Sequence, residues 1–282
     1  MSSNGSEVVA LRESHDSFTV GDCFEEICTT YDSDALRYFL DGAIALIDEL
    51  DMTAVESVLD VGTGTGHTAL EVAKRYPHCR IVGADSSPGM LGVAELKKGN
   101  MRNVTFLKHD WEELEHLRGE YDLVTNSWGA CFIANFDKFA KSVASKVKPD
   151  GVFAFVNFAD GSFGQFGVEF ASNLAEMSLW KQPPPFAQAN GELIRFMKGN
   201  GFETLRIIHK QFEYAVKDAE QWWMVVWGTA MKNLLHHLAQ SELEAFRLMH
   251  LNRVQRLIDS GYNKLVVATL IVIVRAPSRS SL

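Results

Sequence analysis

The 282-residue chain predicts an α/β fold, a doubly wound and mostly parallel sheet with helices on both faces. Short apolar runs recur between residues 57 and 158, each followed by a stretch of helical periodicity. The first run, Val58-Leu59-Asp60-Val61, breaks into the glycine turn Gly62-Thr63-Gly64-Thr65-Gly66, and a helix opens at about His67. Repeated strand–helix units imply parallel strands, and ligands in such sheets sit beyond the carboxyl ends of the strands.

The elements follow in order. Residues 1–17 are polar and acidic and read as a flexible tail; with no apolar core they do not form a signal peptide. From Cys23 to Leu50 apolar residues recur at helical spacing, which predicts two helices with a break near Tyr31-Asp32-Ser33. Strands read at 57–62, 80–85, 104–110, 121–128 and 151–158, with helical segments at about 67–75, 87–98, 111–118 and 136–147. Ser86-Ser87-Pro88 supplies a serine N-cap and a first-turn proline for the second of these helices. After Phe158 the rhythm breaks. Residues 160–188 hold Gly161, Gly164, Gly167, Trp180 and Pro183-Pro184-Pro185, which predict a loop with a short helix inside it. A helix at about 190–199 is closed by Gly199-Asn200-Gly201. Residues 204–216 are β-rich, 218–260 form a helical excursion, and a final strand runs over 264–275.

The bulk properties narrow the function classes. The formal net charge is −9 and no basic block of five or more residues occurs, which disfavours nucleic acid and stable membrane association. The pattern suits a soluble enzyme acting on a small-molecule substrate. Cys23, Cys28, Cys79 and Cys131 form no Cys-x-x-Cys pair and read as reduced thiols of a cytoplasmic protein. The longest apolar run, Leu265 to Val274, is about half the length that spans a bilayer. His236, His237 and His250 lie in the helical excursion, without zinc-motif spacing, so no metal is expected.

The glycine turn carries the chemistry. Gly64-x-Gly66-x-x-Ala69 satisfies a loose dinucleotide pattern, and Asp85 lies where its ribose-binding acid belongs. Asp60 separates the ligands. It ends the first strand beside the turn, where it repels a pyrophosphate and attracts the ammonium and sulfonium of S-adenosylmethionine (SAM). Unit charges about 4 Å apart interact by roughly 4 kcal/mol at an effective dielectric near 20. Asp85 closes the second strand and can accept both ribose hydroxyls. Asp110 closes the third and can accept from the adenine amine, with the Trp111 backbone N–H beside it. As alternatives, Asp60 satisfies turn backbone groups, and Asp85 and Asp110 serve as helix N-caps.

Val58 to Gly66, Val82 to Leu91, His109 to Leu114 and Asp122 to Phe132 resemble the successive motifs of class I SAM-dependent methyltransferases. Tyr31-Asp32, Pro185-Phe186 and Gly201-Phe202 resemble the ubiquinone/menaquinone-biosynthesis-type, small-molecule branch. The resemblance implies a Rossmann-like seven-stranded sheet, with strand seven antiparallel and inserted between five and six. The chain departs from that branch in one respect. The branch usually joins strands six and seven by a short connection, whereas here about 45 residues intervene as a helical insertion before the last strand, and N-terminal helices precede the core. By the resemblance, Gly62, Gly64 and Gly66 would line the methionine part of SAM. Asp85 would hold the ribose, Met90 would pack near the adenine, Asp110 and Trp111 would bind its edge, and Asn126 would face the cofactor and the reaction side, with Asp60, Thr63 and Ser86 as further cofactor contacts. A single domain, 18–282, is expected, with a SAM-binding core at 50–158 and substrate-covering elements at 18–49, 160–188 and 218–260.

Methyl transfer from a sulfonium is an in-line displacement, which demands alignment at about 3–3.5 Å and exclusion of water more than covalent chemistry. An alcohol or phenol acceptor profits from a general base. Candidates are Tyr31, His67 and His109, although His109 precedes Asp110 on the predicted strand and so should face the opposite side. Tyr31, Trp128, Trp180, Trp223 and Trp227 are candidate substrate contacts. The helical excursion reads as a wall of an apolar substrate pocket or a homodimer contact, or else as plain core packing. The expected function is methyl transfer from SAM to a small apolar or aromatic metabolite. Two alternatives stand beside it, a SAM-binding cyclase or regulatory module, and an NAD-type oxidoreductase.

Overall fold

A computed structural model describes residues 20–177 and 186–278. Seven strands form one sheet: β1 (Ser57–Val61), β2 (Arg80–Asp85), β3 (Val104–Lys108), β4 (Tyr121–Ser127), β5 (Val147–Phe158), β6 (Glu203–Ala215) and β7 (Lys264–Arg275). Their order is β3-β2-β1-β4-β5-β7-β6. Strands β1 to β5 pair in parallel, and β7 runs antiparallel to both β5 and β6. This is the seven-stranded, mostly parallel sheet expected, with the last strand reversed between the fifth and sixth.

Every residue of β1 is buried, as suits a central parallel strand covered on both faces. Successive residues of β5 serve opposite layers. Phe153 and Phe155 join one core cluster, Ala154, Val156 and Phe158 the other. Helices α2 (Tyr38–Asp48), α3 (His67–Arg75) and α4 (Pro88–Lys98) cover one face. Helices α5 (Phe136–Ala144) and α7 (Phe186–Gly199) cover the other. α6 (Gly164–Glu176), α8 (Ala219–Trp227) and α9 (Gln240–Asp259) extend the first layer around Phe166, Phe170, Trp222 and Phe246. α1 (Val20–Ile27) precedes the sheet and packs its Cys23 and Ile27 against Met90. The chain crosses from β1–β2–β3 to β4–β5 at the sheet centre, a switch point that opens a crevice at the strand ends.

Several expected boundaries differ. Residues 164–176 form a 13-residue helix rather than a loop with a short one. The glycines that suggested a loop sit at its start, where Gly161 and Gly164 have φ of 87° and 52°, while Phe166, Phe170 and Leu174 bury one helical face. α7 begins at Phe186, ahead of the expected 190, and β5 begins at Val147, ahead of 151. Residues 111–116 form a 3-10 turn, and the helical excursion divides into α8, a 3-10 turn at Ala230–Leu234, and α9. β3 ends at Lys108, so Asp110 lies beyond the strand it was expected to close. Trp180 and Pro183-Pro184-Pro185 lie outside the described residues.

Candidate functional site

A cleft of about 850 Å³, open mouth included, lies at the carboxyl ends of β1, β2 and β4. Three groups of residues wall it. The strand ends bring Gly62, Gly64, Asp85, Ser86, His109, Asp110 and Trp111, with Met90 from α4. The segment after β4 brings Ser127, Trp128, Gly129 and Phe132. Val20, Gly21, Phe24 and Tyr31 arrive from α1 and the turn after it.

The glycines of the turn divide the work. A Cβ on Gly64 would meet nothing within 4 Å, so this backbone lies bare to the cleft. A Cβ on Gly66 would stand 3.0 Å from the Phe106 ring and 3.1 Å from Leu70. Gly66 therefore permits α3 to pack on the sheet and does not line the cleft, which corrects its expected place. Both adopt left-handed backbone, at φ of 55° and 83°, a conformation glycine alone takes without strain.

Asp60 sits beneath the turn and is off the cleft wall, only 2% exposed. Its carboxylate accepts the Thr63 hydroxyl at 2.6 Å and the Thr125 hydroxyl at 2.7 Å. Burial pushes its pKa up to about 6, against these hydrogen bonds. Asp60 and Thr63 thus brace the turn against β4 rather than face a ligand. Of the two strand-end acids, Asp85 is the one on the cleft wall. It accepts the Gly64 N–H at 2.7 Å and the Ser87 N–H at 2.9 Å. Burial raises its pKa, opposed by these backbone donors. The Gly64 N–H is thus held by a carboxylate, and Asp60, enclosed beneath the turn, does not separate the two cofactors as expected of it.

Asp110 accepts the Glu112 N–H at 2.8 Å as the N-cap of the 3-10 turn that Trp111 begins. His109 shares the same wall, contrary to the strand alternation expected of it, because β3 has already ended. Its Nδ1–H donates to the Asp110 carbonyl at 2.9 Å, which leaves Nε2 as the lone pair of the neutral ring. Tyr31 reaches the cleft with its ring stacked on Phe39 at 4.5 Å. Burial, with Tyr38, Asp85 and Asp32 nearby, raises its pKa well above the ordinary phenol value, so it is a neutral hydroxyl.

Two carboxylates clasp the N-terminal segment over the cleft. Glu25 of α1 accepts the Ser87 hydroxyl at 2.6 Å and the Gly89 N–H at 2.9 Å, at the start of α4. Asp32 meets His67 at 2.9 Å, the Thr65 hydroxyl at 2.6 Å and Lys97 at 2.6 Å. His67 is therefore an anchor for Asp32 and is off the cleft wall. Trp128 adopts a left-handed backbone at φ 65°, which is strained for a bulky residue. Its indole N–H donates to the Phe39 carbonyl at 3.1 Å, and a Cβ on Gly42 would stand 2.1 Å from its ring.

The remaining expected residues lie elsewhere. Asn126 is fully buried behind the cleft and donates to the Val61 carbonyl at 2.8 Å, while its neighbour Ser127 faces the cleft. Trp223 and Trp227 stack on each other at 5.8 Å on α8 and are off the cleft wall, because α8 turns toward α9. Among the described residues, neither 160–177 nor 218–260 contributes to the cleft wall. Val20, Gly21, Phe24, Ser127, Gly129 and Phe132 were not anticipated. Phe24 and Ile27 were visible as a helical repeat, but the side α1 turns to the cleft is a tertiary matter. Among the described residues no group of three or more His, Cys, Asp or Glu could hold a metal, and no helix is long and apolar enough to cross a membrane.

Residues 58–151 match the profile of a family described as a methyltransferase domain. Malonyl-[acyl-carrier protein] O-methyltransferase of Acetivibrio thermocellus is 28% identical over 61% of this chain and 64% of its own length. Demethylmenaquinone methyltransferase of Thermus thermophilus is 32% identical over 42% of this chain and 54% of its own. The chain thus spans between about half and two thirds of the length of these curated relatives. In structure, the YcgJ protein of Bacillus subtilis aligns with a TM-score of 0.55 at 19% identity, covering 84% of this chain and 99% of that one. This likeness shows the fold alone.

Proposed function

From the premise that this chain carries a class I SAM-dependent methyltransferase domain, we propose that it methylates a small apolar or aromatic molecule held in the cleft beside SAM. The observation that carries this reading is the two-sided character of the cleft. One side is polar and acidic, built by the bare backbone of Gly64 and the carboxylates of Asp85 and Asp110. The other is aromatic. Phe24 meets Phe132 edge-on at 5.3 Å and Tyr31 at 6.2 Å, with Trp128 beside them. The polar side suits a cationic nucleoside, and the aromatic side suits a flat apolar partner.

When bound, SAM supplies an electrophilic methyl carbon. Asp85 would hold the ribose hydroxyls, Asp110 and the Trp111 N–H the adenine edge, and Gly62 and Gly64 the methionine portion. Met90 would pack against the base, and α1 would exclude water. The neutral Tyr31 hydroxyl can orient an acceptor by donating to it, and the His109 Nε2 lone pair can take a proton. An apolar, aromatic acceptor accords with the menaquinone precursor named for the Thermus relative.

The test is calorimetric titration with SAM, S-adenosylhomocysteine and NAD(H), followed by assay of radiolabelled methyl transfer to a panel of phenols and quinols. Binding of SAM and S-adenosylhomocysteine, with none of NAD(H), is expected. A preference for NAD(H) would overturn the reading. SAM binding without transfer to any acceptor would favour a cyclase or a regulatory module.

A further inference from the structure

We propose that a narrow crevice bordering the cleft is a subsite for a neutral hydroxyl group of the methyl acceptor, an inference that rests on reading the cleft as a methyl-transfer site. The crevice is lined by Cys131, Asn157, Phe158, Ala189 and Asn190. It lies between the end of β5, the 3-10 turn at Ala130–Phe132, and α7.

Asn157 and Asn190 are 4% and 3% exposed. The orientation of each amide is dictated by the main chain. Asn157 Oδ1 accepts the Ala130 N–H at 3.1 Å, so its other end is the Nδ2 donor. Asn190 Nδ2 donates to the Phe158 carbonyl at 2.8 Å, so its other end is the Oδ1 acceptor. Flipping either amide would set donor against donor or acceptor against acceptor. Asn157 Nδ2 and Asn190 Oδ1 have no partner among the described residues. Buried amide groups rarely remain so without a reason.

Two residues that line the crevice thus carry one unpaired donor and one unpaired acceptor of known identity, between uncharged walls. Cys131 adds no charge, since burial pushes its thiol up to about 12. A carboxylate would satisfy Asn157 and be repelled by the Asn190 oxygen, and an ammonium would do the reverse. A hydroxyl accepts from the first and donates to the second. The crevice and the cleft share a wall, because Gly129 and Phe132 face the cleft while Cys131 between them faces the crevice. The space is too narrow for a free water, so seating a hydroxyl would require the 3-10 turn to part from α7. The same parting would admit a water, which offers the same pair of hydrogen bonds, and the experiment separates the two.

Full-length ¹⁵N-labelled protein saturated with S-adenosylhomocysteine is titrated with phenol and, separately, with anisole, whose oxygen accepts but cannot donate. Side-chain amide signals of Asn157 and Asn190 are followed, with calorimetry of S-adenosylhomocysteine as an independent readout. Phenol is expected to move both signals saturably and anisole to bind at least tenfold more weakly. Asn190→Leu is expected to abolish that preference while S-adenosylhomocysteine affinity stays within about twofold, and Asn157→Ser provides a second variant should the first not fold. Signals that ignore phenol, or respond equally to both compounds, would overturn the subsite. So would an Asn157 amide showing exchange with a long-lived water that phenol does not displace. Failure of wild-type protein to bind S-adenosylhomocysteine would instead sink the methyl-transfer reading, and the subsite with it.

Discussion

The Glu25 carboxylate accepts the Ser87 hydroxyl at 2.6 Å, which ties the helix over the cleft to the N-cap of α4. Ser87 also accepts the Met90 N–H at 3.1 Å, so one hydroxyl serves the clasp and the cap together. Opening the cleft at α1 must break this link and release the Gly89 N–H as well.

Glu25→Ala should therefore speed dissociation of S-adenosylhomocysteine several-fold while changing its association less. The Glu25 end of the clasp is solvent-exposed, so its effect is modest. Stopped-flow fluorescence, with Trp111 and Trp128 on the cleft wall as reporters, measures both rates. An unchanged dissociation rate would mean that α1 does not gate the cleft.

Asp85→Ala should weaken SAM binding by about 1.5–3 kcal/mol, the range for hydrogen bonds to a charged group. Calorimetry reads this directly. An unchanged dissociation constant would remove Asp85 from the cofactor site.

Substitutions at Gly64 and Gly66 should fail differently. Gly64→Val projects branched carbons into the cleft at φ 55° and should abolish SAM binding in a protein that still folds. Gly66→Ala drives a methyl to 3.0 Å from Phe106 and should cost about 1–3 kcal/mol of stability, seen as a lowered Tm. If Gly66→Ala lost affinity at full stability, the division of labour in the turn would be wrong.

Asp122 predicts an acid-sensitive seam. Its carboxylate accepts from the Ser57 N–H and hydroxyl and from Lys148, which holds its pKa near 2 despite partial burial. The folded value lies below the usual 3.8, so the stabilisation is present above about pH 4 and is lost as pH falls toward 2. It amounts to about 2 kcal/mol at neutral pH. Asp122→Asn should remove that much from the unfolding free energy at pH 7 and flatten its decline between pH 4 and 2. Asp60 has the opposite sign. Its folded pKa of about 6 means that it takes up a proton on folding between pH 4 and 6, where it works against stability as pH rises. Urea titrations across pH separate the two aspartates.

The central strands and the glycine turn were legible because each depends on local signals. A buried parallel strand is a continuous apolar run, and a left-handed turn calls for glycine. α6 was not legible, because Gly161, Gly164 and Gly167 crowd its start and imitate a loop. Asp60 and Asp85 both end strands, and nothing local says which one turns to solvent. Thr63 and Thr125 decide that by enclosing Asp60. The roof formed by Phe24 and Tyr31 depends on Glu25 and Asp32 finding partners far along the chain. The paired amides of Asn157 and Asn190 are invisible in the sequence, since their meaning comes from which backbone groups already occupy them.

Trp128 stands in a strained backbone with Gly42 directly beneath its ring, where even a methyl group would collide at 2.1 Å. The two positions are therefore free to drift in evolution only as a pair. Kin that keep the indole must keep glycine on α2, and kin that give up the glycine must carry something smaller at 128. That exchange would redraw the aromatic side of the cleft, so a change hidden in a helix becomes a route to a new acceptor.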